Sequence, residues 1–289
     1  MKCPGTSIQA TAAALSLLGP AVLAGLSIAL SFPLFTGEYT QHMGSIESAF
    51  ISDARFILEN YPHVNWYPSW YLGFPFHLSY PPFVPYLTAV LSALSGASVA
   101  RSYRVLVAFA YVFCPVTFYF FAQRLMRSRF WALVCALAYV LFPSSYYLCF
   151  PDAAQRLQAC PSVRLVNLAF YGEGPHTLGL AITPLAALFF LEAVEKPRPR
   201  NYMLAAASVA AVALVNLIAF FALAVMLTAL LLVEVSRGNP LNTVRKAFIC
   251  LMIAYGLIAF TYDVSFVRAS AAFGEQGTNP LGWLITLLL

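Results

Sequence analysis

The strongest constraint on this fold is the length of the stretches that carry no charge. These stretches are 3–37, 60–100, 105–123, 130–151, 174–191, 201–233 and 247–262. A transmembrane helix needs about 20 apolar residues, and several of the stretches are that long. The chain is also 61% hydrophobic and 9% charged. Together these features predict an all-α, polytopic transmembrane helix bundle, and they exclude a soluble enzyme, a disordered chain and a small disulfide scaffold.

Basic residues between the apolar stretches predict the orientation. Three basic clusters stand there: Arg124, Arg127 and Arg129; Lys196, Arg198 and Arg200; and Arg237, Arg245 and Lys246. Because Lys and Arg collect in cytoplasmic loops, we place these clusters and Lys2 in the cytoplasm. The net charge of +5 then needs no nucleic acid as a partner. A first span from about Ile8 to Phe35 would deliver Glu38 to the outer face of the cell membrane.

The order of the spans follows from keeping these clusters on one side. Pro81 to Gly96 is too short to cross and begins with prolines, so we expect a helix embedded in or parallel to the outer side of the membrane. The remaining spans are 103–123, 130–150, 177–194 and 247–262. Between the last two, 202–234 forms either a hairpin of two short helices near Asn216 to Phe220 or one long tilted helix.

This topology predicts a single membrane domain over 1–289, with large outer loops at 37–102 and 151–176. We expect function on the outer side, since no phosphate-binding loop of the G-x-x-x-x-G-K-[ST] type and no G-x-G-x-x-G turn is present. The tail from Pro280 stops inside another apolar run, so a C-terminal continuation is expected.

The first outer loop opens with Glu38 and His42 just beyond the first span. Residues four apart share one face of a helical turn, so the pair could act on one substrate or one metal. A helix cap and an interfacial histidine are the alternative.

An amphipathic helix on the membrane surface is predicted for Met43 to Asn60. The apolar positions are Ile46, Phe50, Ala54, Ile57 and Leu58, and the acidic positions opposite are Glu47, Asp53 and Glu59. We interpret Asp53 and Glu59 as its wet face rather than as catalysts.

An aromatic and proline-rich stretch follows. It contains Trp66, Tyr67, Trp70, Tyr71, Phe74, Phe76 and Tyr80 among Pro68, Pro75, Pro81 and Pro82. So many prolines forbid a regular helix. Aromatic faces can stack on sugar rings or lipid chains, but Trp and Tyr also collect at membrane interfaces without any functional role. We interpret His63 and His77 as structural.

These features resemble the GT-C superfamily of membrane glycosyltransferases, which includes the catalytic subunit of oligosaccharyltransferase and the protein mannosyltransferases. The resemblance is carried by the carboxylate past the first span, the amphipathic loop, the string WYPSWYLGFPFHLSYPPFVPYLTAVLSAL and the basic-flanked spans. It is nearest to prokaryotic membrane proteins with a 6-pyruvoyl-tetrahydropterin synthase-related domain, a name that we do not take as an activity. Glu38 and His42 match a G-[DE]-x-x-x-H pattern, with Glu in place of the commoner Asp.

The resemblance also implies a second acidic site in the next outer loop. Asp152 and Glu173 are the only carboxylates there, and His176 stands close to Glu173. Neither carboxylate reproduces the D-x-D or D-x-E pair of the oligosaccharyltransferase subunit.

The chemistry implied is inverting sugar transfer from a polyprenyl-phosphate donor to an unidentified acceptor at the outer surface. Glu38 would act as the general base toward an acceptor hydroxyl, or would orient an amide acceptor. His42 would steady the Glu38 carboxylate or contact the donor phosphate. Substrate contacts would come from Asp152, Glu173, His176, Arg156, Trp66, Trp70 and Tyr80. Charge on the departing phosphate would be met by Arg156, Arg164 or Arg268, or by a divalent ion such as Mg²⁺ or Mn²⁺. Each arginine could instead anchor membrane lipid headgroups.

A non-catalytic membrane protein is the rival interpretation: a lipid-linked saccharide transporter or flippase, an assembly subunit, or an inactive relative. Transport favours ionisable groups at mid-membrane, whereas the acids of this chain cluster near the outer interface. Cys114, Cys135 and Cys250 fall within spans, and Cys149 and Cys160 could pair in an oxidising compartment.

Overall fold

The computed structural model describes residues 5–38, 45–69, 72–78, 80–141, 163–266 and 268. Its helices are α1 (Gly5–Thr36), α2 (Glu47–Asn60), α3 (Phe83–Ser95), α4 (Val99–Met126), α5 (Arg129–Leu141), α6 (Val163–Ala169), α7 (Gly174–Glu195), α8 (Pro199–Val215), α9 (Leu217–Arg237) and α10 (Pro240–Ile258). Two short strands, β1 (Trp66–Tyr67) and β2 (Phe74–Pro75), form an antiparallel pair.

Five of the described helices are long and apolar enough to cross a membrane: α1 from Leu17 onward, α4, α7, α9 and α10. This confirms the prediction of a helical membrane bundle. Helix α3 has 13 residues and is therefore about 20 Å long, too short for a hydrocarbon core of about 30 Å. Its length agrees with the expectation that 81–96 does not cross. The structure describes only the 129–141 part of the span predicted at 130–150.

One end of the bundle is held together by charged side chains, and we call it the basic end. Arg124, at the end of α4, forms ion pairs with Glu192 and Glu195, at the end of α7. Near the start of α10, Lys246 Nζ donates to the Val194 carbonyl at 2.9 Å. The C-terminal ends of α4 and α7 therefore meet the N-terminal part of α10.

The apolar stretch at 202–234 is broken into two helices at Asn216. This residue is extended, with φ −161° and ψ 126°, and it joins α8 to α9. Helix α8 begins just after α7 ends, and α9 ends just before α10 begins, so both helices have their far ends at the basic end. The predicted break into two helices is confirmed and the single long helix is wrong, but α9, with 21 residues, is not the short helix that was expected. Asn216 lies at the opposite end of the bundle, which we call the loop end.

Small residues allow the helices of the hairpin to approach α7 closely. Ala186, Ala187, Ala205, Ala206 and Ala219 are all fully buried in one core cluster. A Cβ atom added at Gly179 would lie only 2.5 Å from the Ala219 Cβ, so α7 requires a glycine where α9 crosses it. Close backbone approach over small residues is typical of helix packing within membranes.

Helix α2 does not keep all its acids on a wet face. Glu47 is 4% exposed, and its Oε1 lies 3.4 Å from Arg104 Nη2 of α4. The prediction that places Glu47 opposite the buried face is wrong, because α2 packs across the start of α4 and the first turn of α2 meets Arg104. Asp53 is half-buried, and burial raises its pKa to about 6. Glu59 is exposed, as predicted.

The two loops at the loop end are tied together beside this ion pair. Ile46 N–H donates to the Tyr171 carbonyl at 3.0 Å, and the Tyr103 hydroxyl donates to the Gly172 carbonyl at 3.3 Å. Gly172 has φ +76°, and a Cβ there would lie 2.5 Å from Glu47 N. Only glycine combines that backbone conformation with so close an approach.

Removing the cation from the buried ion pair should destabilise the bundle strongly. We expect Arg104→Met to lower the free energy of unfolding by about 3–5 kcal/mol, because it leaves Glu47 buried without its cation. Thermal unfolding in detergent micelles measures the effect. Arg237→Met is the matched control, since Arg237 pairs with Glu234 at an exposed position and should cost about 1 kcal/mol or less. Equal melting temperatures for the two variants would contradict a stabilising role for the buried pair.

Stability should fall as the pH rises through the pKa of Asp53. The folded state raises this pKa from 3.8 to about 6, so the folded protein binds the proton more tightly than the unfolded chain does. Between pH 4 and 7 we expect a loss of about 1–3 kcal/mol, allowing for partial solvent screening. Asp53→Asn should remove that part of the pH dependence in denaturant titrations, whereas Glu59→Gln, at an exposed site of the same helix, should not. An unchanged pH profile in Asp53→Asn would refute this account.

Candidate functional site

Glu38 stands exposed at the loop end, immediately after α1 and Gly37. Ser98 Oγ donates to Glu38 Oε1 at 2.9 Å, and Arg101 Nη1 donates to the Gly37 carbonyl at 3.3 Å. Ser98 is also the N-cap of α4, where its Oγ accepts from Arg101 N–H at 3.1 Å. The carboxylate is therefore held beside the positive end of the α4 dipole while the rest of the side chain remains accessible.

Several predicted site residues lie outside the described residues. They are His42, Trp70, Asp152 and Arg156, together with the cysteines of the suggested pair, Cys149 and Cys160. The shared face of Glu38 and His42 therefore stays a prediction.

A hydrogen-bonded network, which we call the Asn216 network, brings two other predicted residues together. Asn216 is 2% exposed. Its Nδ2 donates to the Tyr80 hydroxyl at 2.7 Å, and its Oδ1 lies 3.3 Å from His176 Nδ1. The same Oδ1 accepts from Ala219 N–H at 2.8 Å, which caps α9. Asn216, which forms the turn between α8 and α9, thus joins Tyr80 of the first loop to His176 in the first turn of α7.

Glu173 lies next to this network. It directly precedes α7 and is half-buried. Burial raises the pKa of Tyr80, and the negative charge of Glu173 raises it further, against the opposing effect of the Asn216 hydrogen bond. Among the described residues, the Glu173 carboxylate has no hydrogen-bond or ion-pair partner. Tyr80 therefore remains a protonated hydroxyl close to a carboxylate whose oxygens can still accept hydrogen bonds.

The ring of Tyr80 is fixed by aromatic packing. It lies against Phe50 of α2, with ring centroids 5.5 Å apart, and Phe50 in turn stacks on Tyr103 of α4 at 6.2 Å. Because α2 and α4 are also joined by the Glu47–Arg104 pair, the position of the Tyr80 hydroxyl depends on the same contacts that hold the first loop in place.

Arg164 of α6 carries a positive charge into the bundle. Its guanidinium carbon lies 3.3 Å from the centre of the Tyr139 ring of α5. Its Nε and Nη1 atoms are buried and have no hydrogen-bond partner among the described residues. A cation over an aromatic face is favourable, but the unused N–H groups retain their capacity to bind an anion. Arg268, which the sequence also suggested as a cation for the departing phosphate, is exposed.

The aromatic loop is divided between a small core and exposed side chains. Tyr67 and Phe76 are buried in a cluster with Ile57, Val64 and Ala89. Trp66 is 55% exposed, and its indole covers Gly73, which has φ +99°. His77 stacks on Tyr86 with centroids 6.1 Å apart, in keeping with a structural role, and burial lowers its pKa. Trp66 remains available to a ligand, although no described contact joins it to the Asn216 network.

From the sequence, Asn216 indicates no more than a turn within 202–234. The signal for a further role was an amide in the middle of the uncharged stretch 201–233. A buried amide is costly unless it is hydrogen-bonded, so such a residue predicts polar partners from other segments. Ser98 carried no comparable signal, because serine is common in loops and caps.

The arrangement combines hydrogen-bond acceptors and donors with Arg164, a cation that has no ion-pair partner among the described residues. Within the described ranges, no group of three or more His, Cys, Asp or Glu side chains comes together that could hold a metal ion. The side chains present are suited to hydrogen bonding with hydroxyl groups, to proton transfer at a carboxylate and to pairing with an anion.

Comparisons of the chain with protein families, with curated proteins and with solved structures find no match.

Proposed function

We propose that the protein is a glycosyltransferase of the membrane that transfers a sugar from a polyprenyl-phosphate donor to an acceptor on the extracytoplasmic face. The observation that carries the proposal is the position of Glu38. It is an exposed carboxylate at the exit of the first membrane helix, held by Ser98 at 2.9 Å beside the start of α4. A positioned carboxylate at a membrane surface is what proton abstraction from an acceptor hydroxyl requires.

The orientation of the proposal rests on the charges of the basic end. The three basic clusters flank the ends of α4, α7 and α9, so the positive-inside rule assigns the basic end to the cytoplasm. The loop end, with Glu38, Tyr80, Glu173 and His176, then faces outward in a multi-pass cell-membrane protein. An outward site suits a lipid-linked donor, because the phosphate leaving group makes a nucleotide unnecessary.

The phosphate group of the donor would be bound by Arg164. Within the described part of the chain its Nε and Nη1 atoms have no hydrogen-bond partner, and they are buried, where a charge-assisted bond is strong. A dry cation of this kind stabilises negative charge that develops on a departing group. A divalent ion such as Mg²⁺ or Mn²⁺ would do the same, and loss of transfer in a chelator, restored by either ion, would identify that requirement.

The proposed step inverts the configuration at the anomeric carbon. Glu38 takes the proton of the acceptor hydroxyl, and the acceptor oxygen forms a bond to the anomeric carbon. The bond from that carbon to the phosphate oxygen breaks, and its electron pair leaves with the polyprenyl phosphate. His42, Asp152, Arg156, Trp66 and Trp70 keep the proposed roles in steadying the carboxylate or contacting the substrate.

Glu38→Gln should abolish most of the transfer. A general base contributes about 10²–10⁴-fold, so we expect transfer from labelled polyprenyl-phosphate sugars to fall at least about 100-fold in membranes that contain the variant. Glu59→Gln is the control, an exposed acid in the same loop. Transfer that survives Glu38→Gln would overturn the assignment of the base. A wild-type protein that transfers none of the donors would favour a saccharide transporter or an assembly subunit.

Arg164→Gln should weaken donor binding. We expect the KM for the polyprenyl-phosphate donor to rise roughly tenfold, because a charge-assisted hydrogen bond to the phosphate is lost. Arg55→Gln, at an exposed position of α2, should leave the KM unchanged. Thermal unfolding shows whether each variant is folded. An unchanged KM in a folded Arg164→Gln protein would assign Arg164 to packing against Tyr139 alone.

A further inference from the structure

The Asn216 network has a fixed hydrogen-bond polarity. Ala219 N–H is a donor, and the atom that meets it at 2.8 Å must be the amide oxygen of Asn216. The other end of the amide is therefore the Nδ2 group, which points at the Tyr80 hydroxyl at 2.7 Å. The cap of α9 thus determines which way the Asn216 side chain faces.

This polarity determines the tautomer of His176. The Oδ1 atom of Asn216 can only accept, so the His176 Nδ1 atom that lies 3.3 Å away must carry the proton. In the neutral ring, Nε2 then has a free lone pair. An unconstrained histidine side chain prefers the opposite tautomer, with its proton on Nε2. Asn216 is therefore a positioning residue that makes His176 Nε2 a hydrogen-bond acceptor.

The same argument applies to Tyr80. Its hydroxyl oxygen accepts from Asn216 Nδ2, so its own proton is left to donate elsewhere. Glu173 directly precedes the first turn of α7, which carries His176, and its carboxylate has no hydrogen-bond or ion-pair partner among the described side chains. One donor and one acceptor are thus oriented by a single amide, and the Glu173 carboxylate stands beside the turn that carries the acceptor.

We propose that Tyr80, His176 and Glu173 form a binding site for the hydroxyl groups of a sugar ring. Each sugar hydroxyl both donates and accepts, so it matches a donor and an acceptor whose polarity is fixed in advance. A carboxylate can accept from two neighbouring hydroxyls, and its charge disfavours an anionic ligand. This inference rests on the proposed function for the identity of the ligand. It predicts that the acceptor is a saccharide rather than an amide.

Binding of simple glycosides tests the site without any transfer reaction. The full chain in lipid nanodiscs is mixed with methyl α-mannopyranoside or methyl β-glucopyranoside, and saturation-transfer NMR reports contact with the sugar protons. Tetrahydropyran, a ring of the same size without hydroxyl groups, is the control probe. We expect saturation of at least one glycoside and none of tetrahydropyran. Equal saturation of all three, or no saturation of either glycoside, would overturn the proposal.

Variants link the binding to these residues. Tyr80→Phe and Glu173→Gln should each weaken glycoside binding roughly tenfold, because each removes one hydrogen bond to the ligand. Asn216→Ser keeps a good helix cap but is too short to reach His176 or Tyr80, so it should weaken binding similarly. Asn239→Ser is the matched control, since Asn239 caps α10 through Asn242 N–H at 3.2 Å. Binding that is unchanged in Glu173→Gln would refute the site.

The histidine tautomer supplies a readout that does not depend on the ligand. In ¹⁵N-labelled protein, His176 should show a protonated Nδ1 and an unprotonated Nε2, and Asn216→Ser should shift the ring toward the opposite tautomer. Asn216→Asp retains the cap and the acceptor for His176, so it should keep the tautomer. In this variant the Tyr80 hydroxyl would donate its proton to the new carboxylate instead of to the sugar, so binding of the glycoside should weaken. A wild-type ring protonated on Nε2 would disprove the positioning role.

The outcomes separate this inference from the proposed function. Glycoside binding that survives in Glu38→Gln, together with loss of transfer, supports both. Binding without any transfer by the wild-type protein supports the saccharide site and overturns the glycosyltransferase. Transfer that is retained in folded Tyr80→Phe and Glu173→Gln proteins, with an unchanged KM for the acceptor, overturns the saccharide site and leaves the transferase intact.

Discussion

The structure depends on one constraint, which is that burying a polar group inside an apolar helix bundle is costly unless the group finds a partner within the protein. Each unsatisfied backbone or side-chain polar group in hydrocarbon costs several kcal/mol. That cost is a large fraction of the free energy of unfolding of a typical domain. Among the described residues, the ion pairs lie at the two ends of the bundle. Charged pairs close the basic end, and the Glu47–Arg104 pair and the Asn216 network close the loop end.

The first loop shows how such contacts build a surface. Helix α2 is amphipathic, and its apolar side packs on α3 and α4, but the ion pair between Glu47 and Arg104 fixes where along α4 it lies. That placement brings Phe50 against Tyr80 and so aims the Tyr80 hydroxyl at Asn216. A buried pair of this kind adds specificity of position more than stability, since apolar residues of similar volume would pack as well.

The spans that correspond to α1, α4, α7 and α10 could be predicted from the sequence because they follow from uncharged length alone, a local property. The hairpin at Asn216 could be predicted too, since it was needed to keep the basic clusters on one side. The burial of Glu47 could not, because periodicity shows which face a residue occupies and not which distant side chain meets it. Arg104 is 57 residues away. The partners of Asn216 were hidden for the same reason, as Tyr80 is 136 residues away and His176 is 40.

The choice of asparagine at the hairpin carries a further argument. Ending α8 and starting α9 needs only one acceptor for the Ala219 N–H group, and a serine, a threonine or an aspartate would supply it. An amide offers a second group, Nδ2, which must also be satisfied when the residue is 2% exposed. The Tyr80 hydroxyl satisfies that second group at 2.7 Å, which leaves the Tyr80 proton directed elsewhere. The amide of Asn216 therefore links the turn between α8 and α9 to the orientation of Tyr80 and His176.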